Sequence, residues 1–304
     1  MSALRGEGAR AALGSPYLLL AFAVLCWAGN FIVGRAAREV IPPVAFNFWR
    51  WVLALLILLP FAGPALWRTR WIALRHWRPI ALLALTGLTS FHTCVYLGLG
   101  RTEALNGFVT FAISPLFFGL FAWLLFEDPV RPRQILGVGL SIAAALTVVS
   151  RGQPSALLGL EVNPGDLWLL AAVILWALYS VLLRLRPADL PPLAFLAAVI
   201  LVALIQLAPL YALELLLTGR TVELGWTSAA GLGYVALFAS VLAYIAWNQG
   251  VREAGPVPAG AALQLMPLFG AGLAILFLGE TLAGFHLLAA GLIGLGLWLA
   301  RAGR

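Results

Sequence analysis

Apolar residues run in stretches of about 20 along nearly the whole chain, each closed by a short cluster of proline, glycine or arginine. About 20 apolar residues is the length a helix needs to cross the hydrocarbon core of a bilayer. This ruler predicts ten spans, at 16–34, 43–62, 79–99, 105–126, 134–150, 166–184, 191–212, 227–249, 257–278 and 284–300. The breakers fall between them, at Pro42-Pro43, Gly63-Pro64, Pro129, Pro132, Pro154, Pro164, Pro187, Pro191-Pro192 and Pro256. Helix is the required form, because lipid offers no partner to an unpaired backbone group. The expected fold is therefore all-α and integral to the membrane, a single transmembrane domain over residues 1–304.

The pattern is written twice. A shift of 149 residues carries Trp27-Ala28 onto Trp176-Ala177, Arg35 onto Arg184, Pro42-Pro43 onto Pro191-Pro192, Phe46 onto Phe195 and Pro60 onto Pro209. A shift of 152 carries His92 and Tyr96 onto Tyr244 and Asn248, and Pro115 onto Pro267. Proline is rare inside helices, so this register marks an internal repeat. The halves are 16–150 and 166–300, joined by the polar connection near 151–165. Five spans is an odd number, so the second half enters the membrane upside down relative to the first. Such inverted repeats are a common plan in secondary transporters, with the substrate site near the midplane.

Composition supports a membrane class: 62% of residues are apolar, 10% are charged, and the mean hydropathy is +0.99. All 19 basic residues are arginine, as a GC-rich genome would produce. The pI of 10.2 does not point to nucleic acid, because the arginines sit in short loops. Their distribution sets topology instead. Thirteen (Arg5, Arg10, Arg68, Arg70, Arg75, Arg78, Arg131, Arg133, Arg184, Arg186, Arg252, Arg301, Arg304) fall on one side, and five (Arg35, Arg38, Arg101, Arg151, Arg220) on the other. The positive-inside bias puts both termini in the cytoplasm. Cys26 and Cys94 lie inside apolar segments without CxxC spacing, so neither a disulfide nor a metal site is expected. No cleavable signal is evident, since the run from Tyr17 belongs to the repeat.

The sequence resembles the drug/metabolite transporter superfamily, in its ten-span EamA branch. The resemblance rests on Trp27-Ala28 with Asn30, Pro43 with Arg50, mid-span Pro115 and Pro267, and the helix ends Phe126-Glu127 and Leu278-Gly279-Glu280. The first half departs from the family pattern by carrying Phe126 where a glycine precedes Glu280 in the second. Among members the chain looks most like the YddG-type amino-acid exporters, which implies export of aromatic or other neutral amino acids.

The candidate site residues are polar or aromatic side chains deep in the spans. Arg50 lies seven residues into the second span with Asn47 a turn before it. A charge at such depth costs about 2.5–3.5 kcal/mol on insertion scales and is either functional or paired inward. Arg50 therefore reads as a receptor for a substrate carboxylate or as a structural arginine held by carbonyls. His92 with Tyr96, and Tyr244 with Asn248, are i, i+4 pairs that make matched stripes, lining a shared cavity or gluing helices. Trp27 with Asn30 and Trp176 with Tyr179 read as an aromatic wall. Gln264 joins them as a weaker candidate. Pro115 and Pro267 would free the carbonyls of Phe111 and Leu263 and break their helices for gating. The other ten tryptophans read as an interfacial belt, and the glycines of spans five and ten (Gly137, Gly139, Gly291, Gly294, Gly296) as packing sites.

No phosphate loop, G-x-S-x-G or H-E-x-x-H occurs, and no Asp or Glu falls mid-span. The expectation is a non-enzymatic permease of the bacterial inner membrane, without cofactor or metal, that exports small zwitterionic metabolites by alternating access. Its partners would be the small-molecule substrate and the bilayer; monomer and homodimer both stay open. The alternatives are an exporter of other metabolites or drugs, an intramembrane lipid-modifying enzyme, and a partner subunit whose polar residues only join helices.

Overall fold

The structure, a computed structural model, describes residues 15–37, 39–102, 110–111, 113–129, 131–150, 152–159, 164–223, 225–278 and 284–300. The loop arginines Arg5, Arg10, Arg38, Arg151, Arg301 and Arg304, together with Glu280, lie outside these residues. Among the described residues all regular structure is helical. The helices are α1 (Pro16–Ala37), α2 (Pro43–Arg68), α3 (Trp77–Leu99), α4 (Ser114–Phe126), α5 (Pro132–Val149), α6 (Pro164–Leu182), α7 (Pro192–Thr218), α8 (Trp226–Ala254), α9 in two pieces (Pro256–Ala262 and Leu265–Leu278) and α10 (Gly284–Ala300). A short helix, Arg70–Arg75, precedes α3. Among the described residues seven helices are long and apolar enough to cross a membrane: α1, α2, α3, α6, α7, α8 and α9. Apolar but shorter segments lie in α4 and α10.

Two helices run through prolines and well past their expected ends. α2 continues to Arg68 through Pro60 and Pro64, so Gly63-Pro64 is not the break the sequence suggested. Each proline deletes one ladder bond, but the flanking bonds keep the turn helical. α7 passes Pro209 in the same way and ends at Thr218, with Gly219 in the left-handed conformation that suits a glycine after a helix. This extension brings Glu214 into the helix rather than the following loop. Its carboxylate accepts the backbone N–H groups of Val44 (2.9 Å) and Ala45 (2.7 Å), which are orphaned in the first turn of α2. A negative group at that helix end is favoured by the dipole as well.

Packing is reciprocal. α1 packs on α8 and α9; α6 packs on α3 and α4; α2 pairs with α7, and α5 with α10. Adding five to each helix number turns one half of this scheme into the other. Two close approaches follow the same rule. A Cβ on Gly98 of α3 would lie 2.7 Å from Leu169 Cγ of α6, and one on Gly250 of α8 would lie 2.7 Å from Leu20 Cγ of α1. Glycine lets those backbones meet. α1, α2, α3, α6, α7 and α8 supply most of one large buried apolar cluster, while α5 and α10 meet around Ala144, Ala289 and Ile293.

Both long central helices contain a π-helical segment, Leu85–Ser90 in α3 and Val235–Leu242 in α8. Such wide turns put carbonyls out of register with the α ladder and gather at functional sites.

Candidate functional site

Two helical turns into α2, Arg50 is completely buried. Its Nε donates to Ser240 Oγ (2.9 Å), Nη1 to Tyr96 Oη (2.7 Å) and Nη2 to the Ala239 carbonyl (3.2 Å). Its guanidinium also lies over the Trp51 ring, 5.0 Å from the centroid. Every one of these partners is neutral. Ser240 and Ala239 belong to the π segment of α8, whose loosened register supplies the carbonyl. The same Ala239 oxygen accepts Trp27 Nε1 at 2.9 Å.

The π segment of α3 does equivalent work. Gly87 O accepts Tyr244 Oη at 2.6 Å. Asn47 Nδ2 donates to Leu88 O (3.3 Å), Thr89 O (3.1 Å) and Thr93 Oγ1 (3.1 Å), so this amide ties α2 to α3. Its Oδ1 is buried without a partner. The exposed carbonyls thus lie in the π segments, not at the prolines. Pro115 stands in the first turn of α4 and Pro267 in the first turn of the second piece of α9, each just after a helical interruption. Leu263 O, expected to be free, accepts the Met266 N–H at 2.9 Å in the tightened turn. Gln264 is buried at that interruption, on a helix whose main neighbours are α1, α4, α5 and α10 rather than α2.

The remaining candidates converge on one aromatic cluster. Trp27 and Trp176 meet edge to face at 4.9 Å. Trp176 further contacts Phe91 (4.7 Å), Tyr179 (5.1 Å) and Tyr244 (5.6 Å). His92 contacts both Trp51 (5.6 Å) and Tyr244 (6.1 Å), which meet each other at 5.1 Å. Trp51 and Trp247 are fully buried in this cluster, Trp247 being 5.1 Å from Trp27, so neither belongs to an interfacial belt. Their depth was readable: Trp51 adjoins Arg50, and Trp247 follows Tyr244 by one helical turn. Trp67, Trp71 and Trp77 are exposed, as an interfacial position requires. The indole N–H groups of Trp51 and Trp176 are buried without acceptors. A buried unpaired donor costs about 1–3 kcal/mol, so these two are poised for a polar partner.

Two hydrogen bonds flank the cluster. Tyr96 Oη donates to Asn30 Oδ1 at 3.0 Å, and Tyr179 Oη donates to Asn248 Oδ1 at 2.9 Å. The 149 and 152 shifts exchange these pairs, with tyrosine and asparagine trading helices. Beyond each lies a cavity. One, of about 160 Å³, is lined by Tyr96, Phe46, Pro43 and Arg101; the other, of about 170 Å³, by Asn248, Ser180 and three arginines. The arrangement therefore has a buried cation and unpaired donors at the centre, aromatic walls, and a cavity towards each end. It is chemistry for holding a small polar molecule.

The model of the EamA-like transporter family matches twice, over residues 14–150 and 163–302. An uncharacterized transporter of Archaeoglobus fulgidus is 29% identical over 272 residues, covering 87% of this chain and 89% of the relative. A probable amino-acid metabolite efflux pump of Salmonella typhimurium is 28% identical, covering 91% of each chain, and a protein of that description from Escherichia coli is 26% identical, covering 93% of each. A solved protein structure superposes with a TM-score of 0.73 at 18% identity, covering 94% of this chain and 96% of that chain, a likeness of fold. With both halves matched, the chain belongs to the EamA-like transporter family, within the drug/metabolite transporter superfamily.

Proposed function

We propose that this transporter exports small zwitterionic metabolites, neutral and aromatic amino acids first among them, across a bacterial inner membrane. It works by alternating access of two inverted five-helix repeats, ten spans in all, with both termini cytoplasmic. The observation that carries the reading is Arg50: a guanidinium buried at the centre, held only by neutral groups, with unpaired indole donors close by. A carboxylate entering there gains a charge-assisted partner that its hydration otherwise supplies. Trp27, Trp176 and Tyr244 offer apolar faces to the side chain, and no described carboxylate bonds to Arg50 to compete. The reciprocal helix packing and the two-fold match of the family model favour the repeat, and the relatives' efflux descriptions favour the direction.

The test is counterflow of labelled phenylalanine, leucine, lysine and glutamate with the purified protein in liposomes, without ATP. Saturable exchange of the first two, and little of the last two, is the expected result. Silence towards all four with exchange of another metabolite class would replace the amino-acid reading with a broader exporter.

A further inference from the structure

A second concentration of positive charge lies where α6 turns into α7 and α8 into α9, the end that the proposed orientation assigns to the cytoplasm. Arg184, Arg186 and Arg252 line the 170 Å³ cavity there with Leu183, Ser180 and Asn248, and no residue lining it is acidic. Arg184 is engaged by Asp128, beyond the end of α4, and lies over the Phe126 ring at 5.0 Å. Arg186 is half-buried; its Nη2 donates to Leu190 O at 3.1 Å and its guanidinium lies over Phe195 at 5.4 Å. Its Nε is buried with no hydrogen-bond partner among the described residues. Burial, and after it the neighbouring Arg252, pull Arg186 below the ordinary arginine range. Both causes describe a cation short of negative charge. The corresponding cavity at the opposite end is of similar size, and among the described residues its lining includes one arginine, Arg101.

We propose that this cavity is an oxyanion site that captures the carboxylate of an outgoing metabolite before it reaches Arg50. The inference rests on the export reading above. Clefts lined by charge of one sign focus the field and raise the local concentration of the opposite ion. Asn248 forms the inner wall and is also the acceptor of the Tyr179 hydroxyl, while Tyr179 stacks on Trp176. The Tyr179–Asn248 bond is thus the partition between the captured carboxylate and the central cluster.

The test places a cysteine at Leu183 in the full-length protein in phosphatidylcholine nanodiscs; the native Cys26 and Cys94 are buried. Anionic sulfonatoethyl and cationic trimethylammonioethyl methanethiosulfonates are compared, each rate normalised to a free thiol. The anionic reagent should react faster by about tenfold, and sodium acetate should slow it. The preference should vanish in Arg186→Gln/Arg252→Gln and survive in Arg186→Lys/Arg252→Lys. Equal rates in folded protein, or no protection by acetate, overturn the site. Protection by added phosphatidylglycerol but not by acetate would make a lipid phosphate the occupant and overturn metabolite capture. The assay needs no transport. A labelling preference in a protein that moves no amino acid would remove the export reading and leave the oxyanion site; active exchange without the preference would do the reverse. If Leu183→Cys fails to fold, Arg252→Cys, with Arg186 intact, takes its place: there the anionic reagent should still be favoured, and equal rates overturn the site.

Discussion

Arg50 of α2 holds groups from two further helices, α3 and α8, and its removal weakens all of them. Ser240 Oγ, Tyr96 Oη and the Ala239 carbonyl would each lose a charge-assisted donor. Such bonds contribute about 1.5–3 kcal/mol apiece, so Arg50→Ala should lower both thermal stability and transport. Tyr96→Phe separates the two effects. It deletes the hydroxyl between Arg50 and Asn30 without changing the ring, and should slow exchange by about tenfold or more, at about 1.4 kcal/mol per decade, while the melting temperature falls less than in Arg50→Ala, which loses all three Arg50 bonds. Normal exchange by Tyr96→Phe would show that the hydroxyl is only structural. Arg50, Tyr96 and Asn30 were legible in the sequence because charge and amide groups stand out in an apolar run. Trp51 and Trp247 could be placed only through their neighbours Arg50 and Tyr244, since a tryptophan near a span carries no mark of its own of which way it faces.

At the scale of the helix, the least legible feature is the pair of π segments. A one-residue widening leaves the run apolar and helical, so no periodicity announces it. The small polar residues within it, Thr86, Gly87 and Thr89 in α3 and Ser240 in α8, are the only trace. The prolines drew attention instead, and they prove to start helical pieces rather than expose carbonyls. Close helix contacts were partly legible as glycines, but spacing did not rank them. Of the glycines in α5 and α10 read as packing sites, Gly296 is tight, a Cβ there lying 2.7 Å from the Gly137 carbonyl, whereas a Cβ on Gly139, Gly291 or Gly294 meets nothing within 4 Å; Gly98 and Gly250 are tight as well. Gly98→Ala and Gly250→Ala should each destabilise by about 1–3 kcal/mol through overpacking. Gly139→Ala should leave the thermal midpoint in detergent unchanged or slightly raised. Equal effects at all three positions would mean that the α3–α6 and α8–α1 contacts are looser than drawn.

For the whole molecule, the arginine distribution gives the orientation its test. A single cysteine near Gln153 should react with a membrane-impermeant reagent in intact cells, and one near Arg75 should not. The reverse pattern overturns the cytoplasmic placement of both termini. The proposed duplication rests on prolines and tryptophans that keep their register over half the chain. What it leaves unsaid is how the two halves differ, and the contact between Trp27 and Trp176 bears on that. Under the proposed duplication these side chains are counterparts, and counterparts touch only on the axis that relates them. The pair is therefore a fulcrum, about which one half can tilt without losing its partner. The balance is unequal in this state: Trp27 Nε1 holds Ala239 O, while Gly87 O, the counterpart of Ala239, is taken by Tyr244 and Trp176 Nε1 goes without. A tilt that gave Trp176 the bond and took it from Trp27 would exchange one set of contacts for a nearly equal one. Two states so related differ by little in energy, and a small bound molecule suffices to choose between them.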